Sequence, residues 1–306
     1  MKIAILYGGT STEHKISIQT GLAIAEAISG SFDLDMVDFN ADFGKVLNNL
    51  LESDLVFNAL YGGNGENGDI QSYLDLHQIP YTGSGSRASK IAMDKNISKI
   101  IAQSVSIPTP NWLLIKIDRN LGIRLQDFDT SKFKMPYVVK PSDEGSTYGL
   151  SIVRDESELP EAIGCASEFS NEILIEEYIP GRELTVGILG NRTLPIVEIQ
   201  PSHNIYDYEC KYLEGLSKYI VPAKLSNILT KNISADALKI YQTLDCRHYA
   251  RVDFRINEKN EYYFLEINTL PGMTSTSLLP KAAKAAGLEF SDLIKTIINL
   301  AKVGMR

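Results

Sequence analysis

Arg251-Val-Asp-Phe-Arg-Ile256 and Glu261-Tyr-Tyr-Phe-Leu-Glu-Ile-Asn268 are two runs rich in β-branched and aromatic residues, joined by the polar turn Asn257-Glu-Lys-Asn260. They read as an antiparallel hairpin. Pairing residue 256 with 261 sets 253 opposite 264 and 251 opposite 266. The two-residue period of a strand then puts Arg251, Asp253, Glu266 and Asn268 on one face, while Val252, Phe254, Leu265 and Ile267 fill the other. Two carboxylates and an amide on one face repel unless something neutralises them, and neither strand supplies a lysine there. Hard oxygen donors of this kind suit magnesium, which usually also takes phosphate oxygens. Taken alone, the hairpin reads more readily as an amphipathic pair with a solvated polar face.

Upstream, Tyr137-Val-Val-Lys-Pro-Ser-Asp-Glu-Gly-Ser-Thr-Tyr-Gly149 delivers Lys140 from a β-branched strand into a Gly/Ser loop. Such a loop can wrap phosphates with backbone N–H groups, although by itself it reads somewhat more readily as a surface hairpin turn. No GxxxxGK[ST] loop occurs in the chain. Gly63-Asn-Gly-Glu-Asn-Gly68 matches G-x-G-x-x-G, but it follows the third strand and no acid ends a strand about 20 residues later, so a tight βα turn is the better reading. Gly8-Gly-Thr-Ser-Thr-Glu13 also stands at a helix start. Glu13 there would repel a phosphate and suit an ammonium group.

Around these motifs the chain opens with strand and helix signals in alternation: Lys2-Tyr7, a helix over Ile16-Ile28, Asp33-Phe39, Asp54-Leu60 and a helix over Asp69-His77. This is a small parallel βα sheet. After the break Pro80-Tyr-Thr-Gly-Ser-Gly85, one amphipathic helix is expected from Ser89 to about Ser104. Short mixed elements follow to Tyr178, and then two strands, the polar tyrosine-rich stretch His203-Tyr219, a helix near Ser234-Leu244, the hairpin and two terminal helices.

At 306 residues, with 44% hydrophobic and 22% charged residues, the composition is that of a globular protein and excludes disorder. Length alone suggests about two domains. A net charge of -8 argues against a broad nucleic-acid footprint. No apolar run is long enough for a membrane span, and the start of the chain does not read as a signal peptide. Cys165, Cys210 and Cys246 are odd in number and form no CxxC pair, which favours a reducing cytoplasm over a disulfide framework or zinc site. GxSxG and HExxH motifs are absent, so hydrolase and zinc readings lose support.

Gly8-Gly-Thr-Ser-Thr-Glu13, Tyr81-Thr-Gly-Ser-Gly85, Met93-Asp-Lys95, Val139-Lys-Pro-Ser-Asp-Glu-Gly-Ser146, Tyr206-Asp-Tyr-Glu-Cys-Lys-Tyr212 and Glu266-Ile-Asn-Thr-Leu-Pro-Gly-Met-Thr-Ser275 together closely resemble the D-alanine:D-alanine ligase family of ATP-grasp enzymes. The matches run in family order along essentially the whole chain. The resemblance implies an α/β and α+β fold: a three-domain ATP-grasp with an N-terminal parallel βα domain. Residues 1–85 would be the N-terminal substrate-binding domain, 86–180 the central ATP-grasp lid domain and 181–306 the C-terminal catalytic domain.

The resemblance also implies site residues. Lys95 and Lys140 would contact the α- and β-phosphates of ATP, and the hinge Glu176, Glu177, Tyr178 and Ile179 would hold adenine, partly through its backbone. Glu183 would bind the ribose, and Lys211 would reach the γ-phosphate from a mobile loop. Asp253, Glu266 and Asn268 would ligate magnesium or manganese, two ions per site. Glu13 would hold the first D-alanine's ammonium in a triad with Ser146 and Tyr212, and Ser277 would take the second D-alanine's carboxylate. Arg251 and the backbone N–H of Gly272 would stabilise the oxyanion of the peptide-forming step. The implied activity is ATP-dependent formation of D-alanyl-D-alanine through an acyl phosphate, for peptidoglycan synthesis, by a cytoplasmic homodimer with no nucleic-acid or membrane partner.

Three departures stand out. Tyr61 occupies the place of a common histidine, Glu177 that of a frequent lysine, and Asn67 that of a usual aspartate. A related ligase using D-lactate or D-serine is the near alternative, disfavoured by Tyr212. A nicotinamide-dependent oxidoreductase built on Gly63–Gly68 is the distant one, and it leaves the Lys140 and Asp253/Glu266/Asn268 sets without a role.

Overall fold

The structure is a computed structural model that describes residues 1–117, 134–201 and 217–303. Its first sheet is parallel and three-stranded, in the order β2-β1-β3, from β1 (Lys2–Gly8), β2 (Asp33–Phe39) and β3 (Leu55–Asn58). The central strand β1 is apolar along its length because both of its faces are covered. On one face Ile3, Ile5 and Phe57 join Ile24 and Ile28 of α1 (His14–Ile28) in a single core. On the other, Ala4, Leu6 and Val56 pack with Val46 and Leu50 of α2 (Phe43–Leu51) and with Ile70 and Leu74 of α3 (Asp69–Leu76).

The segment expected as one helix from Ser89 to Ser104 is two helices, α4 (Ser86–Met93) and α5 (Lys95–Ser104). Asp94 between them adopts an extended backbone, and its carboxylate accepts the N–H of Ile97 at 3.0 Å and the hydroxyl of Ser142 at 3.2 Å. An aspartate at a helix start satisfies an amide that has no partner within the helix, so the amphipathic period continued across a genuine break.

A four-stranded antiparallel sheet, β4-β7-β5-β6, comprises β4 (Trp112–Lys116), β5 (Tyr137–Pro141), β6 (Ser151–Val153) and β7 (Glu172–Glu177). One face carries Val139, Val153, Ile173 and Ile175 against Ile163 and Ala166 of α6 (Leu159–Ser167).

The third sheet is six-stranded, with β8 (Arg182–Leu189), β9 (Arg192–Thr193), β10 (Val197–Pro201), β11 (Ser217–Ile220), β12 (Tyr249–Ile256) and β13 (Tyr262–Asn268). Its path runs β11-β10-β8-β12-β13, with β9 on β8. Ile233, Ala237 and Ile240 of α7 (Asn227–Thr243) pack on it together with Ala88, Ala92 and Ala102 of α4 and α5. Helix α7 starts well before the expected Ser234, capped by the Ser226 hydroxyl, which accepts the N–H of Leu229. Helices α8 (Leu278–Ala285) and α9 (Phe290–Val303) close the chain, and their Leu279, Ala283, Ile294 and Ile297 enter the same core as Ile3, Ile5 and Ile24 of the first sheet and α1. Among the described residues no helix is long and apolar enough to cross a membrane.

Candidate active site

The hairpin β12–β13 forms, but not in the expected register. Near the turn Ile256 faces Tyr262 and Phe254 faces Phe264; beyond an irregularity after Asp253 the pairs become Asp253 with Glu266 and Arg251 with Asn268. One extra residue on β13 is a β-bulge, and it changes which side chains share a face. Phe264 is turned into the core, and Leu265, expected there, lines the cleft beside Glu266 instead. The bulge brings Asp253 and Glu266 directly opposite each other, closer than a regular ladder would.

Their charges are compensated from two directions. Arg251 forks onto Asp253, with Nε to Oδ1 at 3.0 Å and Nη2 to Oδ2 at 2.9 Å, and the Thr185 hydroxyl donates to Asp253 Oδ1 at 2.5 Å. Burial opposes the Arg251 charge, but Asp253 beside it holds the guanidinium pKa well above its usual range. Lys95, at the first position of α5, places Nζ 3.3 Å from Glu266 Oε2 and donates to the Glu144 carbonyl at 2.6 Å. The hairpin itself supplies no lysine to this face; the cation comes from helix α5.

Asp253, Glu266 and Asn268 offer only oxygen and amide donors on one surface, a set that fits a hard divalent cation completed by ligand oxygens. Such a cation would take over the compensation now made by Arg251 and Lys95. Among the described residues no group of three or more His, Cys, Asp or Glu forms a metal cluster by itself.

Two pockets meet at this surface. The first is a cleft between the four- and six-stranded sheets, open to solvent and about 1000 Å³ with its mouth included; it is lined by Lys95, Lys140, Glu176 to Ile179, Glu183, Asp253 and Leu265. The second, about 900 Å³, draws Glu13, Tyr61 and Glu66 from the first sheet's turns and Asn268, Gly272 and Ser277 from the C-terminal part. Gly145, Ser146, Arg251 and Glu266 belong to both. Lys211 and Tyr212 lie outside the described residues, as does Cys210, and the tyrosine-rich stretch is described only from Ser217, where β11 begins.

In the first pocket the two-residue period of β5 and β7 turns Lys140 and Glu176 to the cleft while Val139 and Ile175 enter the core. Glu176 Oε1 accepts Lys140 Nζ at 2.5 Å, and Oε2 accepts Lys99 Nζ at 2.9 Å. Burial works against the Glu176 charge, but the ammonium groups of Lys140 and Lys99 outweigh it and hold the carboxyl down at about 2. The hinge after β7 is braced by Arg255, whose Nε reaches the Ile179 carbonyl at 3.1 Å, Nη2 the Gly181 carbonyl at 3.1 Å and Nη1 Glu183 at 3.5 Å.

In the second pocket Ser146 donates a hydrogen bond to Glu13, joining the loop after β5 to the start of α1. Glu66 is 7% exposed and accepts the Gly62 N–H at 2.9 Å. Burial first, and the neighbouring charge of Glu13 second, raise its pKa to about 8. The Gly63–Gly68 run thus holds its own carboxyl where a dinucleotide turn would receive phosphate. Gly65 has no alternative residue there, because a Cβ would lie 1.5 Å from the Leu60 carbonyl oxygen. Ser277 stands at the N-cap position of α8, and its Oγ turns back to accept the Thr274 N–H at 3.1 Å instead of an amide of the helix.

Sequence reading missed Lys99, Glu66, Arg255 and Thr185. Lys99 had a signal, standing one helical turn after Lys95 and so on the same face. Glu66 was hidden inside a glycine pattern, and Thr185 and Arg255 became visible only through strand pairing.

The model of the D-ala D-ala ligase C-terminus matches residues 101–299. D-alanine–D-alanine ligases from Carboxydothermus hydrogenoformans and Aquifex aeolicus are each 41% identical, covering 99% and 98% of this chain and 99% and 100% of their own. Among solved structures, the D-alanine–D-alanine ligase of Bacillus anthracis complexed with ATP superposes with a TM-score of 0.88 at 32% identity, over 100% of this chain and 98% of that one. The VanG D-Ala:D-Ser ligase of Enterococcus faecalis superposes with a TM-score of 0.81 at 29% identity, over 98% of this chain and 99% of its own. A chain that aligns end to end with D-alanine–D-alanine ligases at about two residues in five, and that folds as they do, belongs to the D-alanine–D-alanine ligase family on the ATP-grasp fold.

Proposed function

We propose that the protein joins two molecules of D-alanine at the expense of ATP, in a cytoplasmic step of peptidoglycan synthesis. The observation that carries this reading is the common wall: a nucleotide-sized cleft and a polar acceptor pocket meet at Arg251, Glu266 and the Gly145-Ser146 loop. A γ-phosphoryl group in the first pocket would therefore reach a carboxylate in the second without either ligand crossing the site. We assign the division of labour to the three units 1–85, 86–180 and 181–306, and a homodimer is the expected assembly.

In this reading a carboxylate oxygen of the first D-alanine attacks the γ-phosphorus and ADP leaves. The amine of the second then attacks the acyl carbon, a tetrahedral oxyanion forms, and phosphate departs carrying the carboxylate oxygen. Glu13, oriented by Ser146, faces the first ammonium. The α8 N-terminus at Ser277 presents backbone amides to the second carboxylate. Lys140 and Lys95 bring positive charge to the phosphates, the backbone of the hinge from Glu176 to Ile179 faces adenine and Glu183 the ribose. Magnesium or manganese would be held by Asp253, Glu266 and Asn268 and, when bound, would neutralise phosphate charge. Arg251, kept charged and oriented by Asp253, stands on the common wall where the oxyanion develops; a preorganised donor of this kind contributes on the order of 3 kcal/mol.

The test is ADP release from ATP with D-alanine alone, with D-alanine plus D-lactate or D-serine, and with no amino acid. Turnover with D-alanine alone and formation of the dipeptide support the reading. Turnover that needs D-lactate or D-serine would move the protein to the related ligases.

A further inference from the structure

Helix α5 carries two buried lysines one turn apart, and only the first has a role so far. Lys95 lines the cleft; Lys99 lies behind its wall, fully buried. Its ammonium donates to Glu176 Oε2 at 2.9 Å and to the Thr109 hydroxyl at 2.7 Å, and sits 5.0 Å from the centre of the Trp112 ring. The Thr109 hydroxyl in turn donates to the Phe264 carbonyl at 2.8 Å, on the strand that carries Glu266. The charged groups facing Lys99 are Glu176 and, behind it, Lys140, whose Nζ is 2.5 Å from the other oxygen of the same carboxylate. Two cations therefore share one anion. Without Lys99, Glu176 would cancel the charge of Lys140, and this part of the wall would show a polyphosphate no net charge.

We propose that Lys99 is a positioning residue that neutralises Glu176 from behind, so that the positive charge of Lys140 stays available to the nucleotide's phosphates. The idea deepens the nucleotide reading of the first pocket and rests on it. It distinguishes the phosphate end of the ligand from the rest, because a missing buried charge weakens a polyphosphate strongly and a neutral nucleoside hardly at all. One unit charge acting across a protein wall at an effective dielectric near 20 changes affinity by roughly ten- to a hundredfold.

The experiment measures ADP and adenosine binding by calorimetry to wild type and four variants. Lys99→Met should weaken ADP by about ten- to a hundredfold and leave adenosine within about twofold. Lys99→Met combined with Glu176→Gln restores one net positive charge and should recover most of the ADP affinity. Thr109→Val breaks the same buried link without changing charge, so its ADP-to-adenosine ratio should stay that of wild type even if its melting temperature falls. Glu176→Gln alone should bind ADP at least as tightly, relative to adenosine, as wild type does; this variant decides the matter if Lys99→Met does not fold. Equal losses of ADP and adenosine in Lys99→Met, no recovery in the double variant, or a selective loss of ADP in Glu176→Gln or Thr109→Val would overturn the proposal. Failure of wild type to bind ADP at all would instead overturn the nucleotide reading beneath it.

Discussion

Glu66 is a carboxyl group in surroundings that disfavour its charge: it is buried, Glu13 lies across the same pocket, and the Gly62 N–H donates to one of its oxygens. Burial above all raises its pKa in the fold to about 8, from the 4.5 ordinary for a glutamate. The neutral form therefore contributes stability that is fully present below about pH 4.5 and is lost as pH rises through about 8. Glu66→Gln mimics the neutral form and should flatten that loss. Urea denaturation should find the variant close to wild type at acid pH and more stable above pH 8, by on the order of a few kcal/mol. Parallel pH profiles for the two proteins would show that Glu66 is charged in the fold. Asp253 poses the opposite case, since its charge is needed by Arg251 and, in the proposed function, by the metal. Asp253→Asn should leave circular dichroism unchanged while kcat falls on the order of a hundredfold or more, and wild-type turnover would remove Asp253 from the mechanism.

The hairpin shows what a single inserted residue does at the scale of an element. Strand identity was legible because Val252, Phe254 and Ile256 alternate with polar residues, but the bulge was not, because a bulge leaves the composition of both strands intact and appears only in the pairing. Asp253 and Glu266 still share a face in either register. That is why the acidic pair could be read from the sequence while Phe264 and Leu265 were assigned to the wrong sides. The same limit hid the Asp94 break, where helical periodicity resumes after one extended residue. Tyr212 and Lys211, by contrast, could be named only through family resemblance. Inserting one residue between Asp253 and Phe254, opposite Leu265, would restore a regular ladder and turn Asp253, Glu266 and Asn268 toward the core. The variant should lose turnover and about 2–4 kcal/mol of stability through buried carboxylate and displaced apolar groups; retained turnover would mean that the bulge does not place Glu266. Asp94→Ala removes the cap and its contact with the Ser142 hydroxyl, and should cost about 1 kcal/mol or somewhat more in chemical denaturation. An unchanged midpoint would show that Ser142 and the preceding turn hold the break without the carboxylate.

At the scale of the molecule the cores are unevenly shared. The first sheet and the C-terminal helices bury Ile3, Ile5, Ile24, Leu279 and Ile297 together, so these two parts of the chain share one core. The four-stranded sheet instead closes its own core on α6, around Val139, Ile163 and Ile175. Ile163→Ala should therefore open the four-stranded unit before the rest, with amide protection lost in 134–177 at a cost of about 2–4 kcal/mol while β1 and α9 stay protected. Uniform loss of protection would show that all three sheets unfold as one. In the proposed reaction an oxygen atom passes between the two pockets that meet at Arg251 and Glu266. D-alanine labelled with oxygen-18 in both carboxylate oxygens, incubated with the protein and ATP, tests this by mass spectrometry of the released phosphate. Transfer of the phosphoryl group to the carboxylate, followed by attack of the second amine, places one labelled oxygen in each phosphate per dipeptide formed. Unlabelled phosphate would mean that water, not D-alanine, receives the phosphoryl group, and would contradict the account.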